Sequence, residues 1–254
     1  NGLGTLTYKE RVSVRKIEVA ERDENDIAAL LYTSGTTGRS KGAMLTHGNL
    51  ISNAKVLRDF WKFTSKDILL NALPIFHTHG LFVATNLTLL SGSSMIFLPK
   101  FEVNEVTRLI KKATVMMGVP TFYVRLLASN DFNKELTKSI RLFVSGSAPL
   151  LAETHKSFEA KTGHKILERY GMTETNMNTS NPYYGLRKPG TVGQPLPGVE
   201  LKIVDEEGIA LKDGDVGNIF VKGKNVFNGY WNLPEKTKED FTEDGFFKTG
   251  DLGR

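Results

Sequence analysis

The sequence contains no cysteine, and this absence excludes several kinds of chemistry. Disulfide bonds, thiolate metal sites and cysteine nucleophiles are all ruled out. There is also no apolar run near the roughly 20 residues that a helix needs to cross a bilayer. The opening residues include neither an initiator methionine nor the apolar centre of a signal peptide. We therefore expect a cytoplasmic protein that is cut from a longer chain and has no membrane partner.

The charge of the chain is unbalanced towards the basic side. Its 254 residues include 33 Lys and Arg against 28 Asp and Glu, a formal net charge of +5. This excess favours the binding of polyanions such as nucleotides. Because the basic residues are dispersed and form no stripe with aromatic residues, we do not expect nucleic acid as a partner. The hydrophobic content of 40% is typical of a globular protein with a sizeable core.

The spacing of apolar residues changes along the chain and predicts three segments. Residues 1–24 are charged and form a lead-in. Residues 25–180 alternate short apolar runs with helical periodicity, which predicts an α/β core with a largely parallel sheet layered with helices. Residues 181–254 contain prolines, glycine turns and short strands, which predict a small antiparallel, barrel-like β subdomain. Strands are predicted at 28–32, 68–73, 95–98, 114–119, 142–144, 165–167, 199–204 and 218–221, and helices at 103–110, at 152–162 and around Leu50, Ala54, Leu57 and Trp61.

The most informative stretch is 32–42, Tyr-Thr-Ser-Gly-Thr-Thr-Gly-Arg-Ser-Lys-Gly, which follows a predicted strand. Its glycines let backbone N–H groups converge on an anion, and its hydroxyl groups, Arg39 and Lys41 add further donors and charge. Neither the Walker spacing nor the dinucleotide-binding glycine pattern is present. Loops of this composition are common on protein surfaces, so composition alone leaves a plain flexible loop as the alternative.

Residues 33–42 resemble the phosphate loop of the adenylate-forming superfamily, which includes acyl-CoA synthetases. Four further stretches match motifs of this superfamily in the expected order, at 73–80, 145–150, 170–175 and 249–251. The local sequences at 98–101, 118–123 and 168–180 look like those of malonyl-CoA synthetases in particular. The resemblance implies a longer parent enzyme, whose N-terminal layer and lysine-bearing C-terminal domain are absent here, so that this chain alone would be weakly active or inactive.

The resemblance also implies roles for individual residues. Glu174 would hold Mg²⁺, Tyr170 would stack on adenine, and Asp251 would accept hydrogen bonds from the two ribose hydroxyls. Thr33, His77 and Glu174 would be catalytic, with His77 gating the acyl and thiol entrances beside a packing residue, His79. The residues expected to bind ATP are Thr33, Ser34, Gly35, Thr36, Thr37, Gly38, Lys41, Gly146, Ser147, Ala148, Glu168, Arg169, Tyr170, Gly171, Met172, Thr173 and Asp251.

Two arginines, Arg125 and Arg169, are candidates for recognising the acid that is activated. A guanidinium group can hold a carboxylate through two parallel hydrogen bonds, and a buried arginine is rare without an anion. An ion pair between each arginine and a local acid is the alternative. By resemblance to malonyl-CoA synthetases, Arg125, Arg169, Ser147 and His77 would bind the substrate, which would be malonate or methylmalonate.

We therefore expect ATP-dependent formation of malonyl-AMP and then malonyl-CoA, with ATP, Mg²⁺ and coenzyme A as the cofactors and co-substrate. An adenylation domain that loads a carrier protein is an alternative, and a non-catalytic nucleotide-binding module is another. A nucleic-acid binder would rest on net charge alone. A zinc site at His77 and His79 is not expected, because no third ligand stands at a suitable spacing.

Overall fold

A seven-stranded sheet runs through the centre of the computed structural model, which describes residues 18–33 and 40–254. The strand order is β4-β3-β5-β6-β7-β8-β9. The neighbours from β4 to β7 pair in parallel, whereas β8 and β9 add antiparallel strands at one edge. The strands are β3 Ile68–Asn71, β4 Ser94–Phe97, β5 Val115–Gly118, β6 Leu142–Ser145, β7 Leu167–Met172, β8 Asn176–Ser180 and β9 Gln194–Pro195.

Helices cover both faces of this sheet. Successive side chains on a strand point to opposite faces, so Leu69 and Leu142 enter one core while Leu70 and Phe143 enter the other. This double burial is typical of parallel sheets and confirms the predicted α/β class. The helices are α1 His47–Phe60, α2 Asn86–Leu90, α3 Val103–Leu109, α4 Pro120–Leu127, α5 Ala152–Thr162 and α6 Pro234–Asp240, with a π-helical segment at His79–Thr85 before α2 and a 3₁₀ turn at Ile110–Lys112 after α3.

Two smaller antiparallel sheets lie against one another on a third hydrophobic core. Strands β10 Val199–Val204, β11 Gly217–Gly223 and β12 Phe247–Gly253 form one, and the hairpin β1 Ile27–Thr33 with β2 Lys41–Thr46 forms the other. Ala43 and Leu45 of β2 pack in the same cluster as Val221 and Phe247. The sequence assigned this hairpin to the α/β core of residues 25–180. In the structure it packs with strands of the predicted β subdomain, residues 181–254.

The structure confirms several predicted elements, moves the bounds of one strand and adds a strand that was not predicted. The helix over 152–162 ends at Gly163, which adopts φ +79° as a left-handed cap. The helix after the phosphate loop begins at His47 with a capping box between Thr46 and Asn49. Strand β2 was not predicted, and the predicted strand at 165–167 is observed instead at Leu167–Met172. The first residues of the motif at 170–175 are therefore part of the strand, and the turn begins only after Met172.

Candidate active-site cavity

A cavity of about 700 Å³ opens at the carboxyl ends of the parallel strands. Val119 follows β5, Ser147 follows β6, and the end of β7 continues into Glu174, and all three residues line it. Residues of β12, including Asp251, and Tyr230 also line the cavity. Ligand sites of open α/β sheets form at this edge of the sheet. The fold therefore brings residues from distant parts of the chain to one concave site.

Most of the described residues that the sequence predicted for the site do line this cavity. They are Thr33, Lys41, His77, Ser147, Arg169, Gly171, Met172, Thr173, Glu174 and Asp251. Predicted residues Ser34, Gly35, Thr36, Thr37 and Gly38 lie outside the described part of the chain. Their role in holding phosphate stays a prediction.

Arg169 is the buried cation of the cavity. Its side chain is 3% exposed, and its Nε and Nη2 atoms have no hydrogen-bond partner among the described residues. No carboxylate in that part of the chain forms an ion pair with it, so the local ion pair considered as an alternative is not observed. Burial lowers the pKa of Arg169 to about 9, which still leaves the guanidinium charged at neutral pH.

Gly146 allows the guanidinium of Arg169 to lie directly against the backbone. A Cβ atom at Gly146 would overlap Cζ and Nε of Arg169. The next residue, Ser147, has φ +68°, a left-handed conformation that costs energy for any residue with a side chain. Backbone strain of this kind is concentrated at functional sites. The turn after β6 thus leaves room for the guanidinium of Arg169.

His79 is a site residue that the sequence assigned only to packing. It is 5% exposed, lines the cavity, and its Nδ1 lies 3.3 Å from Oγ of Ser147. Burial first, and then the charge of Arg169, hold the pKa of His79 well below its usual value. The imidazole is therefore neutral at neutral pH. His77 lies two residues earlier on the exposed rim, so the two rings do not face the same side.

Two side-chain hydrogen bonds involve the nucleotide-binding candidates Tyr170, Asp251 and Glu174. The hydroxyl of Tyr170 donates a hydrogen bond of 2.6 Å to Oδ2 of Asp251. Glu174 is 5% exposed and accepts a hydrogen bond of 3.1 Å from the hydroxyl of Tyr230. Tyr230 lines the cavity but belongs to none of the sequence motifs. Only the structure reveals Tyr230 as a site residue, because it lies 56 residues after Glu174 in the chain and the fold brings the two side chains together.

Five of the described residues that were predicted for the site do not line the cavity. Gly146 and Tyr170 contact the lining residues Arg169 and Asp251, whereas Arg125, Ala148 and Glu168 lie elsewhere. Arg125 lies exposed on α4, where its guanidinium covers the ring of Phe101 at 4.9 Å. Ala148 is exposed and does not line the cavity. Glu168 is buried on the face of β7 opposite to Arg169, because neighbouring residues of a strand point to opposite faces.

Glu168 instead organises the interior next to the site. Its Oε1 lies 2.8 Å from Nδ1 of His155 and accepts a hydrogen bond of 3.1 Å from the backbone N–H of Gly190. Its backbone carbonyl accepts a hydrogen bond from the side-chain amide of Asn181. These contacts fix the strand on which Arg169 is carried. The observed contacts of Glu168 are therefore those of a residue that supports the strand, and its predicted contact with the nucleotide stays a prediction.

The donor set at Glu174 fits a magnesium ion that arrives with a polyphosphate. Within the described residues there is no group of three or more His, Cys, Asp or Glu side chains that could hold a metal by itself. Mg²⁺ commonly takes one or two protein carboxylates and completes its coordination with substrate phosphates and water. Glu174 supplies such a carboxylate on the cavity wall, and Thr33 adds a buried hydroxyl with no partner in the described chain.

Among residues 18–33 and 40–254, none of the helices has the length and apolar character needed to span a bilayer.

Known proteins resemble this chain in both sequence and structure. A family model described as AMP-binding enzyme matches residues 4–231. A malonate–CoA ligase from Arabidopsis thaliana is 46% identical over 250 residues, which cover 91% of this chain and 41% of that protein. The structure of ATP-bound MatB from Rhodopseudomonas palustris superposes with a TM-score of 0.92 at 62% identity, over 94% of this chain and 48% of that chain. A malonyl-CoA ligase solved with methylmalonyl-CoA and AMP has a TM-score of 0.85 and 44% identity, over 91% and 50%.

The chain thus spans half or less of the length of these proteins. The matches confirm the predicted resemblance to adenylate-forming enzymes and, among them, to malonyl-CoA synthetases. They also agree with the mixed α/β fold. The chain belongs to the family of AMP-binding enzymes.

Proposed function

We propose that this chain is the nucleotide-binding part of an AMP-forming acid–thiol ligase whose acid is malonate. In the first step a malonate carboxylate oxygen bonds to the α-phosphorus of ATP, the bond to pyrophosphate breaks, and malonyl-AMP forms. In the second step the thiol of coenzyme A attacks the acyl carbon, malonyl-CoA forms and AMP leaves. Family membership and the identity to a malonate–CoA ligase support this reaction class.

The observation that carries the choice of acid is the buried, unpaired guanidinium of Arg169. Removing a charge from water costs several kcal/mol unless an opposite charge or hydrogen bonds compensate it. Because Arg169 has no acidic partner among the described residues, its cavity is suited to an anionic group from a ligand. Malonate keeps a second carboxylate after the first has reacted. That spectator group is the proposed partner of Arg169.

Ser147 and His79 would complete the recognition of this carboxylate. Their side chains lie 3.3 Å apart on the same wall as Arg169. A neutral imidazole can donate a hydrogen bond from one nitrogen while the other accepts, so it adds donors without adding charge. His77, on the exposed rim, would stand at the entrance through which acid and thiol arrive. Methylmalonate, which adds one methyl group, is the second candidate acid, supported by the ligase structure that holds methylmalonyl-CoA.

Tyr170, Asp251, Glu174, Thr33 and Lys41 would bind the nucleotide. The ring of Tyr170 would support adenine, and Asp251 would accept the ribose hydroxyls. Lys41 and the hydroxyl of Thr33 would meet the phosphates together with the loop that follows β1. When bound, Mg²⁺ would neutralise charge on the phosphate oxygens. Glu174 would orient the complex by holding one side of that ion.

Product analysis tests the proposal and separates it from its alternatives. The longer parent enzyme that the resemblance implies is incubated with ATP, Mg²⁺ and coenzyme A, together with malonate, methylmalonate or butyrate, because this chain alone is expected to be weakly active or inactive. We expect AMP and malonyl-CoA to appear with malonate and little product with butyrate. Adenylate formation without transfer to coenzyme A would favour an adenylation domain that loads a carrier protein. Metal-dependent ATP binding with no adenylate from any acid would favour a non-catalytic nucleotide-binding module. We expect the reaction to take place in the cytoplasm.

A further inference from the structure

Tyr230 makes the hydrogen bond that orients Glu174. The side chain of Tyr230 is 3% exposed, and its hydroxyl donates to Oε1 of Glu174 at 3.1 Å. Among the described residues no other side chain forms a hydrogen bond or an ion pair with Glu174. The second carboxylate oxygen, Oε2, is thus left available to the cavity.

Backbone hydrogen bonds fasten the segment around Tyr230 to both sides of the cavity. The N–H of Phe227 donates to the carbonyl of Glu174 at 2.7 Å, and the N–H of Trp231 donates to the carbonyl of Gly42 at 2.8 Å. The first bond joins this segment to the turn after β7. The second joins it to β2, directly after the predicted phosphate loop. The phenol of Tyr230 is therefore held at a fixed place relative to both elements.

The ring of Tyr230 also contacts Lys41 of the phosphate loop. The ammonium nitrogen of Lys41 lies 4.4 Å from the ring centroid, within the range of a cation–π interaction. The same ammonium is 4.0 Å from Oδ2 of Asp240, at the outer limit of an ion pair. One aromatic side chain therefore touches the proposed metal carboxylate through its hydroxyl and the proposed phosphate-binding lysine through its face.

We infer that Tyr230 is a positioning residue that sets Glu174 for the metal ion and, through its ring, sets Lys41 for the phosphates of the same nucleotide. The inference rests on the proposed function, because it takes Glu174 as a ligand of the Mg²⁺ that accompanies ATP. Hydrogen-bond partners of metal ligands commonly contribute about 10- to 100-fold to metal affinity. The hydroxyl and the ring have separable effects, and this separation allows a sharp test.

Two substitutions separate the two contacts. Tyr230→Phe removes only the hydroxyl and keeps the ring below Lys41, whereas Tyr230→Leu removes both. Binding of a non-hydrolysable ATP analogue is measured by calorimetry in chelator and across a titration of Mn²⁺, which also gives a paramagnetic resonance signal when bound. We expect Tyr230→Phe to weaken metal-dependent binding by about tenfold and to leave metal-free binding unchanged. Tyr230→Leu weakens the metal-free binding as well. Tyr184→Phe, at a side chain that is 75% exposed, is the matched control.

A label on the wild-type protein gives a second reading that does not depend on the stability of any variant. Tyrosine labelled with ¹³C at Cζ reports the environment of each phenol. We expect the Tyr230 signal to move when Mg²⁺ is added to the complex with the ATP analogue, while the Tyr184 signal stays in place.

The outcomes distinguish this inference from the function on which it rests. If Glu174→Gln abolishes metal-dependent binding but Tyr230→Phe retains it, and the Tyr230 signal does not move, the inference is wrong and the proposed function stands. If the wild-type protein binds the analogue equally well with and without metal, the metal role of Glu174 fails and the inference fails with it. The inference is supported if Tyr230→Phe weakens metal-dependent binding and retains metal-free binding.

Discussion

The hydroxyl of Tyr170 donates a hydrogen bond of 2.6 Å to Oδ2 of Asp251, across 81 positions of the chain. The bond joins the end of β7 to β12, so it connects the large sheet with the small C-terminal sheet. Burial first, and then this bond, raise the pKa of Tyr170, which keeps the phenol protonated. The two residues proposed to receive adenine and ribose are therefore bonded to each other.

Asp251→Ala tests the ribose role. We expect it to weaken AMP binding by about tenfold or more, since a hydrogen bond to a charged group contributes about 1.5–3 kcal/mol. Binding of 2′,3′-dideoxy-AMP should be unaffected, because that nucleotide lacks the two hydroxyls. Tyr170→Phe should have a smaller effect, since it loosens the carboxylate without removing it. Calorimetry with both nucleotides gives the comparison, and equal losses for both would contradict the role.

His79 makes the stability of the fold depend on pH. Its pKa is held well below its usual value in the folded state, whereas the unfolded chain binds a proton below about pH 6.5. Below that pH the unfolded state therefore holds more protons than the folded state. The free energy of unfolding should fall as the pH drops from about 6.5 to 5, with at most about 1.4 kcal/mol per pH unit from this group.

Urea unfolding of His79→Asn at several pH values measures this effect. The variant should lose less stability than the wild type between pH 6.5 and 5, because its side chain at position 79 does not titrate. His77→Asn, on the exposed rim, is the control and should follow the wild-type slope. Identical slopes for wild type and His79→Asn would show that the buried imidazole is not responsible.

Gly146→Ala should disturb the acid end of the cavity selectively. The added methyl group overlaps the guanidinium of Arg169, and forcing extra atoms into a packed interior typically costs about 1–3 kcal/mol. We expect about tenfold weaker binding of a malonyl-adenylate mimic by calorimetry. Binding of a butyryl-adenylate mimic should change much less, because it makes no use of the guanidinium. An equal loss of affinity for both mimics would mean that Gly146→Ala disturbs the binding of the adenylate part, which the two mimics share, and not that of the acyl group.

Glu168→Ala separates a supporting role from a ligand role. The substitution leaves buried His155 and the N–H of Gly190 without their acceptor, so we expect a loss of about 3 kcal/mol in the free energy of unfolding. Glu168→Gln, which retains a carbonyl acceptor, should recover part of this loss. Urea unfolding provides the measurement. Weaker ATP binding with unchanged stability would return Glu168 to the ligand role that the sequence suggested.

Periodic elements could be predicted from the sequence, and elements with buried polar residues could not. The helix Ala152–Thr162 has regular spacing and a glycine cap, so local rules are sufficient. Strand β7, Leu167–Met172, extends beyond the predicted strand at 165–167 and includes Glu168 and Arg169, two charged residues that do not indicate a buried strand. Burial of such residues is decided by tertiary contacts and by the cavity itself.

The site was predicted through its motifs, but its geometry required the fold. The spacing of His77 and His79 does not indicate which ring is buried, since that depends on a π-helical segment that starts at His79. The resemblance to malonyl-CoA synthetases suggested Arg125 as a substrate-binding residue, yet the described structure places it on an exposed helix surface. Tyr230 could not be found from motifs at all, because its role comes from one long-range hydrogen bond.

The central claim is that Arg169 selects an acid with a second carboxylate. The most direct test is calorimetry with non-hydrolysable malonyl- and butyryl-adenylate mimics on the wild type, Arg169→Ala, Arg125→Ala and Arg108→Ala, the last at an exposed arginine paired with Glu105. We predict a malonyl preference in the wild type that is lost only in Arg169→Ala, with AMP binding retained. A wild type that binds both mimics equally, or an Arg169→Ala variant that retains the malonyl preference, would contradict the claim.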